Sequence, residues 1–351
     1  MLGVFALGIS LLSVACTLAA APPPPSSSPP SSPPASAAPP SAAPPLGSRP
    51  EIAGCPSDEP TDSDEPTDSG EPTDPQRQPR LFANQRYSQR DDADATKGLC
   101  DVLLPAAEDT PAAGFPTVIL VHGGAWMSGS KWTTEGYARV LAQRGYATIR
   151  INYRLAPRHK FPAQLDDLRE ALLWTCEHAD RFSFDLRRLG LFGYSAGGHL
   201  SLLISLLGDE SIETQLATSG WSPEDGRWRR LPPIHAVCVG GPPCDFRDLP
   251  PQNTSLAYFL GGPRSEKQAV YEAATPIVHI SAADPPVHLI HGETDSIVPI
   301  QNSLRFRDQA IAIGLACELT TIVGQGHLLT FLNPQTSEAM VEFFDKTLVT
   351  P

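Results

Sequence analysis

Cysteine pairs of the kind that bind zinc are absent from this sequence. None of the seven cysteines lies in a C-x-x-C pair, the spacing typical of structural zinc sites. Basic residues are also scarce, because 26 Lys and Arg stand against 39 Asp and Glu, for a formal net charge of −13. No basic stripe is present to replace the counterions of a nucleic acid. We therefore expect neither a metal site nor a nucleic-acid partner.

The negative charge is concentrated in a segment that has little to bury. Nine acids and no Lys or Arg fall between Glu51 and Asp74, so the rest of the chain carries a formal charge of only −4. Here E-P-T-D recurs three times, and the repeat has no large apolar residue. The preceding stretch, Pro22–Pro50, is almost entirely Pro, Ser and Ala, which favours extended polyproline conformations. We predict that residues 22–79 form a disordered linker.

An apolar stretch occupies the N terminus. Residues 1–21 end in small side chains and are short for a membrane span, which is typical of a secretory signal peptide. The usual Lys or Arg near the start is missing, so a short membrane anchor is the alternative. Cys16 follows L-S-V-A, a poor match to a lipoprotein cleavage site, and lipid anchoring there stays open. We expect a secreted or cell-envelope-associated protein.

Residues 80–351 alternate between two hydrophobic periods. Short β-branched or apolar runs that begin at Thr117, Thr148, Ile234, Pro286 and Cys317 predict strands, and helical spacing separates them. This alternation predicts one α/β domain, a doubly wound and mostly parallel sheet with helices on both faces. Ligands of such sheets bind at the carboxyl ends of the strands. Two cysteines of this region, Cys238 and Cys244, are close enough in sequence for either a disulfide or two buried thiols.

A strand-to-helix corner centres on Ser195. The apolar run from Leu189 to Phe192 predicts a buried strand, and leucines at helical spacing follow it. Gly193 and Gly197 flank the serine as G-x-S-x-G, the nucleophile elbow that lifts a serine hydroxyl above a sheet. A glycine-rich turn is the alternative interpretation. The motif indicates a catalytic serine only if a base, an acid and an oxyanion site occur elsewhere in the right order.

A base and an acid follow the serine in the order that this type of sheet uses, which is serine, acid, histidine. His327 comes after a late strand at a glycine-rich turn, and we predict it as the base. The acid is either Glu293 or Asp295, and we predict Asp295 because it lies where the chain leaves the strand end. Asp166 and Asp167 precede the serine and suit the positive end of a helix dipole.

An oxyanion loop is predicted after the first strong strand. The run H-G-G-A-W, His122–Trp126, resembles the HGGG-type loop, with alanine in the third glycine position. We predict that the backbone N–H groups of Gly124, Ala125 and Ala196 bind the developing oxyanion. Trp126 is expected either to line the pocket or to pack in the core.

These motifs together resemble a known family. VHGGAWMSGSK, NYRLAPRHKFPAQLDDL, GYSAGGHL, FLGG, PPVHLIHGETDSIVP and GQGH are similar to the hormone-sensitive-lipase-like and feruloyl-esterase-like (BD-FAE) carboxylesterases, from about Cys100 to Leu348. The resemblance implies an α/β-hydrolase fold, no cofactor, and hydrolysis of carboxylic esters through an acyl-enzyme. It places nucleophile, acid and base on Ser195, Asp295 and His327.

Two departures weaken the inference about substrate. Tyr194 stands where much of the family has aspartate, and a linker replaces the cap helices that often precede the first motif. Only residues 208–233 and 245–285 could then cover the serine, which favours short acyl or aryl esters. The alternatives are an amidase or formamidase, a prenylcysteine methylesterase, and a binding module without catalysis.

Overall fold

The computed structural model describes residues 78–90, 96–106 and 110–349. The predicted signal peptide at 1–21, with Cys16, lies outside these residues. So does the predicted linker at 22–79, apart from its last two positions. The predictions of a signal peptide, a disordered linker and export therefore stay predictions, and lipid anchoring at Cys16 stays open.

The strands of the described residues form one eight-stranded sheet. They are β1 (Arg80–Arg86), β2 (Leu99–Leu104), β3 (Phe115–Val121), β4 (Ala147–Ile151), β5 (Phe184–Tyr194), β6 (Ala236–Gly240), β7 (Val287–Gly292) and β8 (Cys317–Ile322). Their order is β1-β2-β4-β3-β5-β6-β7-β8. Strand β2 pairs antiparallel with β1 and β4, and all other pairs are parallel.

Helices connect the parallel strands, and two further helices follow the last strand. They are α1 (Glu135–Gln143), α2 (Ala163–Glu177), α3 (Ala179–Phe182), α4 (Ala196–Leu206), α5 (Ile212–Ala217), α6 (Ala257–Leu260), α7 (Gln268–Ala273), α8 (Gln301–Ala312), α9 (His327–Leu332) and α10 (Pro334–Phe344). Within the described ranges, none of these helices has the length and apolar character needed to span a bilayer.

Alternate residues of the central strands enter different cores, as the strand period of two requires. Ile119 of β3 packs with α2, α4 and α8 on one face of the sheet. Its neighbour Leu120 packs with α1 and α10 on the other face. This two-faced burial confirms the predicted α/β fold, with helices on both sides of a mostly parallel sheet.

The structure adds to or corrects three details of the sequence interpretation, which places leucines on one face of an amphipathic helix after Ser195. Every residue of α4 is buried, so this helix is central and not amphipathic. Strand β5 begins at Phe184, earlier than the apolar run at Leu189 suggests. The antiparallel strands β1 and β2 were not predicted.

Cys238 and Cys244 are two free, buried thiols. Cys238 belongs to the core on the α1 face, whereas Cys244 belongs to the core on the α4 face. Because the two side chains lie in different cores, the structure favours the buried-thiol alternative over a disulfide.

Candidate active site

Ser195 occupies a strained corner between β5 and α4. Its φ of +54° and ψ of −120° lie where residues with a side chain are rare. Such a conformation costs about 1–3 kcal/mol and persists only where the surroundings fix it. The Ser195 N–H donates to the Gly240 carbonyl at 2.7 Å, which ties the corner to the end of β6. The serine side chain is partly exposed at the carboxyl edge of the sheet.

The glycines around the serine are required by close backbone contacts. A Cβ on Gly193 would lie 2.2 Å from the Gly197 carbonyl oxygen. A Cβ on Gly197 would lie 2.1 Å from the Val121 carbonyl oxygen, at the end of β3. Strand and helix therefore approach so closely that only glycine fits. This geometry is that of a nucleophile elbow and not of an ordinary glycine-rich turn.

Replacing Gly197 by alanine is expected to lower the free energy of unfolding by about 3 kcal/mol, the upper end for overpacking, because the obstructing atoms are backbone. Urea unfolding measures the loss. Gly136→Ala is the matched control, since a Cβ there meets nothing within 4 Å inside α1. The Gly136→Ala change is expected to raise the free energy of unfolding by about 0.5–1 kcal/mol. Equal stability of the two variants would contradict the close approach at the elbow.

Asp295 and His327 form a direct pair. Asp295 lies in the turn after β7, and His327 is the first residue of α9. The His327 Nδ1 lies 2.5 Å from the Asp295 Oδ2, and the ring is only 4% exposed. Because the carboxylate accepts, Nδ1 carries the proton and Nε2 keeps a free lone pair. Among the described residues, Nε2 has no hydrogen-bond partner.

The turn after β6 brings His327 next to the serine corner. A Cβ on Gly241 would lie 2.9 Å from His327 Cε1, and the preceding Gly240 accepts the Ser195 N–H. The structure therefore gathers all three predicted triad residues at the carboxyl ends of β5, β6 and β7. Their catalytic roles remain a prediction, which we take up below.

The environment of Asp295 keeps it ionised. Burial alone would raise the pKa of the Asp295 carboxyl, because it disfavours the charged form. Hydrogen bonds from the His291 and His327 rings and from the backbone outweigh burial and hold this pKa well below its usual range. The Oδ1 atom accepts the Ile297 and Val298 N–H groups, each at 2.9 Å. The two carboxylate oxygens therefore have separate partners.

His291 is a further neighbour of the acid, which the sequence analysis did not single out. Its Nε2 lies 2.8 Å from the Val298 carbonyl oxygen and 3.4 Å from the Asp295 Oδ2. A carbonyl only accepts, so Nε2 carries the proton and Nδ1 accepts from the Ser303 hydroxyl at 2.7 Å. The motif H-G-E-T-D contains this histidine, but its contact with the carboxylate depends on how the turn folds back.

The rival carboxylates lie elsewhere. Glu293 is exposed and accepts the Gly324 N–H at 2.9 Å. Asp167 accepts the Arg154 N–H at 2.6 Å and also pairs with Arg90. Asp166 accepts from Ser219 and Gly220 as well as from Arg169. The contacts of Asp166 and Asp167 hold loops onto α2, a role more specific than the predicted interaction with the helix dipole.

The predicted oxyanion loop lies against the serine. A Cβ on Gly123 would lie 3.4 Å from the Ser195 Cβ. Gly124, Ala125 and Trp126 all have positive φ, at +117°, +51° and +59°. Within the part of the chain that the structure describes, no acceptor contacts the N–H groups of Gly124, Ala125 or Ala196. Two of these N–H groups lie in the loop and one lies at the start of α4, and their binding of an oxyanion stays a prediction.

Helix α6 and the residues around it support this strained loop. The Tyr258 hydroxyl donates to the Ala125 carbonyl at 2.8 Å. Trp126 stacks on Phe259 with ring centroids 4.4 Å apart, and its indole N–H donates to His199 Nδ1 at 3.3 Å. Trp126 is 2% exposed, so it packs in the core and does not line a pocket. Sequence reasoning missed Tyr258 as a loop support, because no local pattern links it to Ala125.

The two segments expected to cover the serine behave differently. Residues 245–285 reach the oxyanion loop through Tyr258 and Phe259. Residues 208–233 pack on α2 instead, where Trp228 lies over the Arg169 guanidinium at 5.1 Å and contacts Trp221. A cavity of about 360 Å³ lies under this second segment, lined by residues of α2 and α4 but not by Ser195. Of the two segments, only residues 245–285 are therefore placed to shape the site.

The fold and the arrangement of these side chains define an α/β-hydrolase. The chain belongs to the BD-FAE family, whose sequence model matches residues 100–310. It is 32% identical over 204 residues to LipM of Mycobacterium tuberculosis, described as a probable carboxylic ester hydrolase, and this match covers 55% of the chain and 44% of LipM.

Two further comparisons extend over more of the chain. An isoprenylcysteine α-carbonyl methylesterase of Arabidopsis thaliana is 26% identical over 262 residues, 72% of this chain and 58% of that protein. A truncated carbohydrate esterase from gut microbiota superimposes with a TM-score of 0.67 at 20% identity, covering 79% of this chain and 99% of the other. The match with the esterase supports the fold alone. The chain spans about half the length of the curated relatives it matches.

Proposed function

We propose that this chain is a serine esterase that hydrolyses carboxylic esters through an acyl-enzyme on Ser195. One observation carries the proposal: His327 is held by Asp295 at 2.5 Å and keeps a free Nε2 beside the strained serine corner. A serine hydroxyl is a weak nucleophile until such a base takes its proton. The names of the relatives, LipM among them, support esters as the substrate class.

Each residue has a defined part in the proposed reaction. His327 Nε2 takes the proton of the Ser195 hydroxyl as the oxygen attacks the ester carbonyl. The N–H groups of Gly124, Ala125 and Ala196 bind the oxyanion, and each such donor is worth about 10²–10³ in turnover. His327 then protonates the leaving alcohol, and a water molecule repeats the sequence to release the acid.

Asp295 stabilises the imidazolium that forms on His327 in both steps. Because the pKa of this carboxyl is held below its usual range, the acid stays charged at the pH values where the base works. Its role is to orient the ring and to balance its positive charge, not to accept the proton.

A prenylcysteine methylesterase is the second candidate. The Arabidopsis relative carries that name, and α9 offers an apolar surface next to the base, with Leu328, Leu329 and Leu332 exposed at 42%, 60% and 62%. A prenyl chain could bury these leucines. Comparing kcat/KM for p-nitrophenyl acetate with that for a farnesylcysteine methyl ester separates the two candidates. The absence of hydrolysis with either substrate would favour a binding module.

The specificity constant is expected to peak at acyl chains of roughly two to four carbons. Of the two segments expected to cover the serine, only residues 245–285 contact the oxyanion loop, through the Tyr258 hydroxyl and the buried Phe259 ring. A deep acyl tunnel would add about 0.8 kcal/mol per buried methylene, so kcat/KM would rise steadily with chain length. p-Nitrophenyl esters from acetate to palmitate keep the leaving group constant and test this directly. A maximum at roughly eight carbons or more would contradict a shallow pocket.

A further inference from the structure

The helix that carries the base has limited packing of its own. Helix α9 contains only His327–Leu332, and three of its leucines are largely exposed. The glycines of the G-Q-G sequence precede it, and Gly324 has a φ of +67° with nothing within 4 Å of a Cβ position. A short helix after a permissive turn needs contacts from elsewhere to hold the imidazole in place.

Two buried tyrosines donate to backbone carbonyls of this helix. The Tyr194 hydroxyl donates to the His327 carbonyl at 2.6 Å. The Tyr137 hydroxyl, from α1, donates to the Phe331 carbonyl at 2.5 Å. Both bonds anchor α9, but only the first is made to the residue that carries the base.

The Tyr194 ring has a fixed position. A Cβ on Gly240 would lie 2.3 Å from Tyr194 Cδ2, so the ring lies directly on the backbone of β6. The edges of the His327 and Phe331 rings pack against it, with centroids 5.2 Å and 4.9 Å away. Burial and the charge of Asp295 raise the pKa of the Tyr194 phenol above its usual range, so the hydroxyl remains a donor.

We propose that Tyr194 is a positioning residue that holds His327 in register with Ser195. Tyr194 is the last residue of β5 and directly precedes the serine, so one backbone segment orients the nucleophile and anchors the base. The hydrogen bond fixes the first turn of α9, which keeps Nδ1 on Asp295 while Nε2 faces the serine. This inference rests on the proposed esterase function and extends it to the residue that departs from the family pattern.

Tyr194→Phe tests the inference, because it keeps the ring and removes only the hydroxyl. We expect kcat for p-nitrophenyl acetate to fall about tenfold, equivalent to about 1.4 kcal/mol, with KM changed less than about twofold. Tyr137→Phe is the matched control: it removes one hydrogen bond to the same helix, away from the base. Its kcat is expected to stay within about twofold of the parent. The melting temperature is expected to fall by a similar amount in both variants, since each loses one hydrogen bond.

Active-site titration from the initial burst of p-nitrophenol counts competent molecules, so partial unfolding of a variant does not enter kcat. A kcat within about twofold of the parent for Tyr194→Phe would overturn the inference. Equal losses of kcat in both variants would also overturn it, because they would show general loosening of α9. Failure of the proposed function is recognised separately, by activity that persists in Ser195→Ala measured in parallel.

Discussion

Replacing Ser195 by alanine is expected to lower kcat for p-nitrophenyl acetate by about 10⁶-fold, the loss seen when a triad nucleophile is removed. The acyl-enzyme needs the hydroxyl oxygen, and neither His327 nor the oxyanion donors can replace it. Alanine keeps the Cβ that the corner already accommodates at a φ of +54°, so the melting temperature is expected to change little. Steady-state kinetics and thermal unfolding measure the two effects.

Ser201→Ala is the matched control for this change. Ser201 lies on the same helix, α4, and is fully buried, and its hydroxyl has no hydrogen-bond partner among the described residues. Removing the hydroxyl breaks no hydrogen bond, so kcat is expected to stay within about twofold of the parent. Activity of a few per cent or more in Ser195→Ala, from protein purified in the same way, would exclude Ser195 as the nucleophile.

The central sheet could be predicted because its strands are buried on both faces. Val118, Ile119 and Leu120 of β3 all lie at 1% exposure or less, and such strands read as continuous apolar runs. The elbow was also predictable, because the approach of Gly197 to Val121 demands glycine at a fixed distance from the serine. Local sequence is therefore enough to predict both the parallel core of the sheet and the candidate nucleophile.

The edge of the sheet could not be predicted in the same way. Strand β1 has four exposed or partly exposed polar positions among its seven residues, and its one apolar run is only three residues long, Leu81–Ala83. Strand β2 buries Asp101, which is tolerated only because Lys131 and Arg150 pair with its carboxylate. Both partners are distant in sequence, so nothing local marks Asp101 as a buried strand residue.

The supports of the candidate site also depend on contacts between distant residues. Tyr258 reaches Ala125 across 133 positions of sequence, and Tyr194 reaches His327 across the same separation. The order serine, acid, histidine could identify the candidates, because it is a property of the chain. Which neighbours hold them in place is a property of the folded sheet.

The choice of Asp295 over Glu293 as the acid can be tested through the two carboxylate oxygens. Asp295 Oδ1 accepts two backbone N–H groups, so an asparagine there would keep its carbonyl oxygen on that side. Its NH₂ group would then occupy the place of Oδ2 and face the His327 Nδ1. Two donors cannot share a hydrogen bond, so the ring would have to move its proton to Nε2.

Asp295→Asn is therefore expected to lower kcat for p-nitrophenyl acetate about 10⁴-fold, because His327 would be held in the tautomer that cannot accept the serine proton. Glu293→Gln is the matched control, since Glu293 is exposed and a glutamine oxygen can still accept the Gly324 N–H. Its kcat is expected to stay within about threefold of the parent. Steady-state kinetics of the two variants decide between the carboxylates: a large loss in Glu293→Gln with activity kept in Asp295→Asn would assign the acid to Glu293.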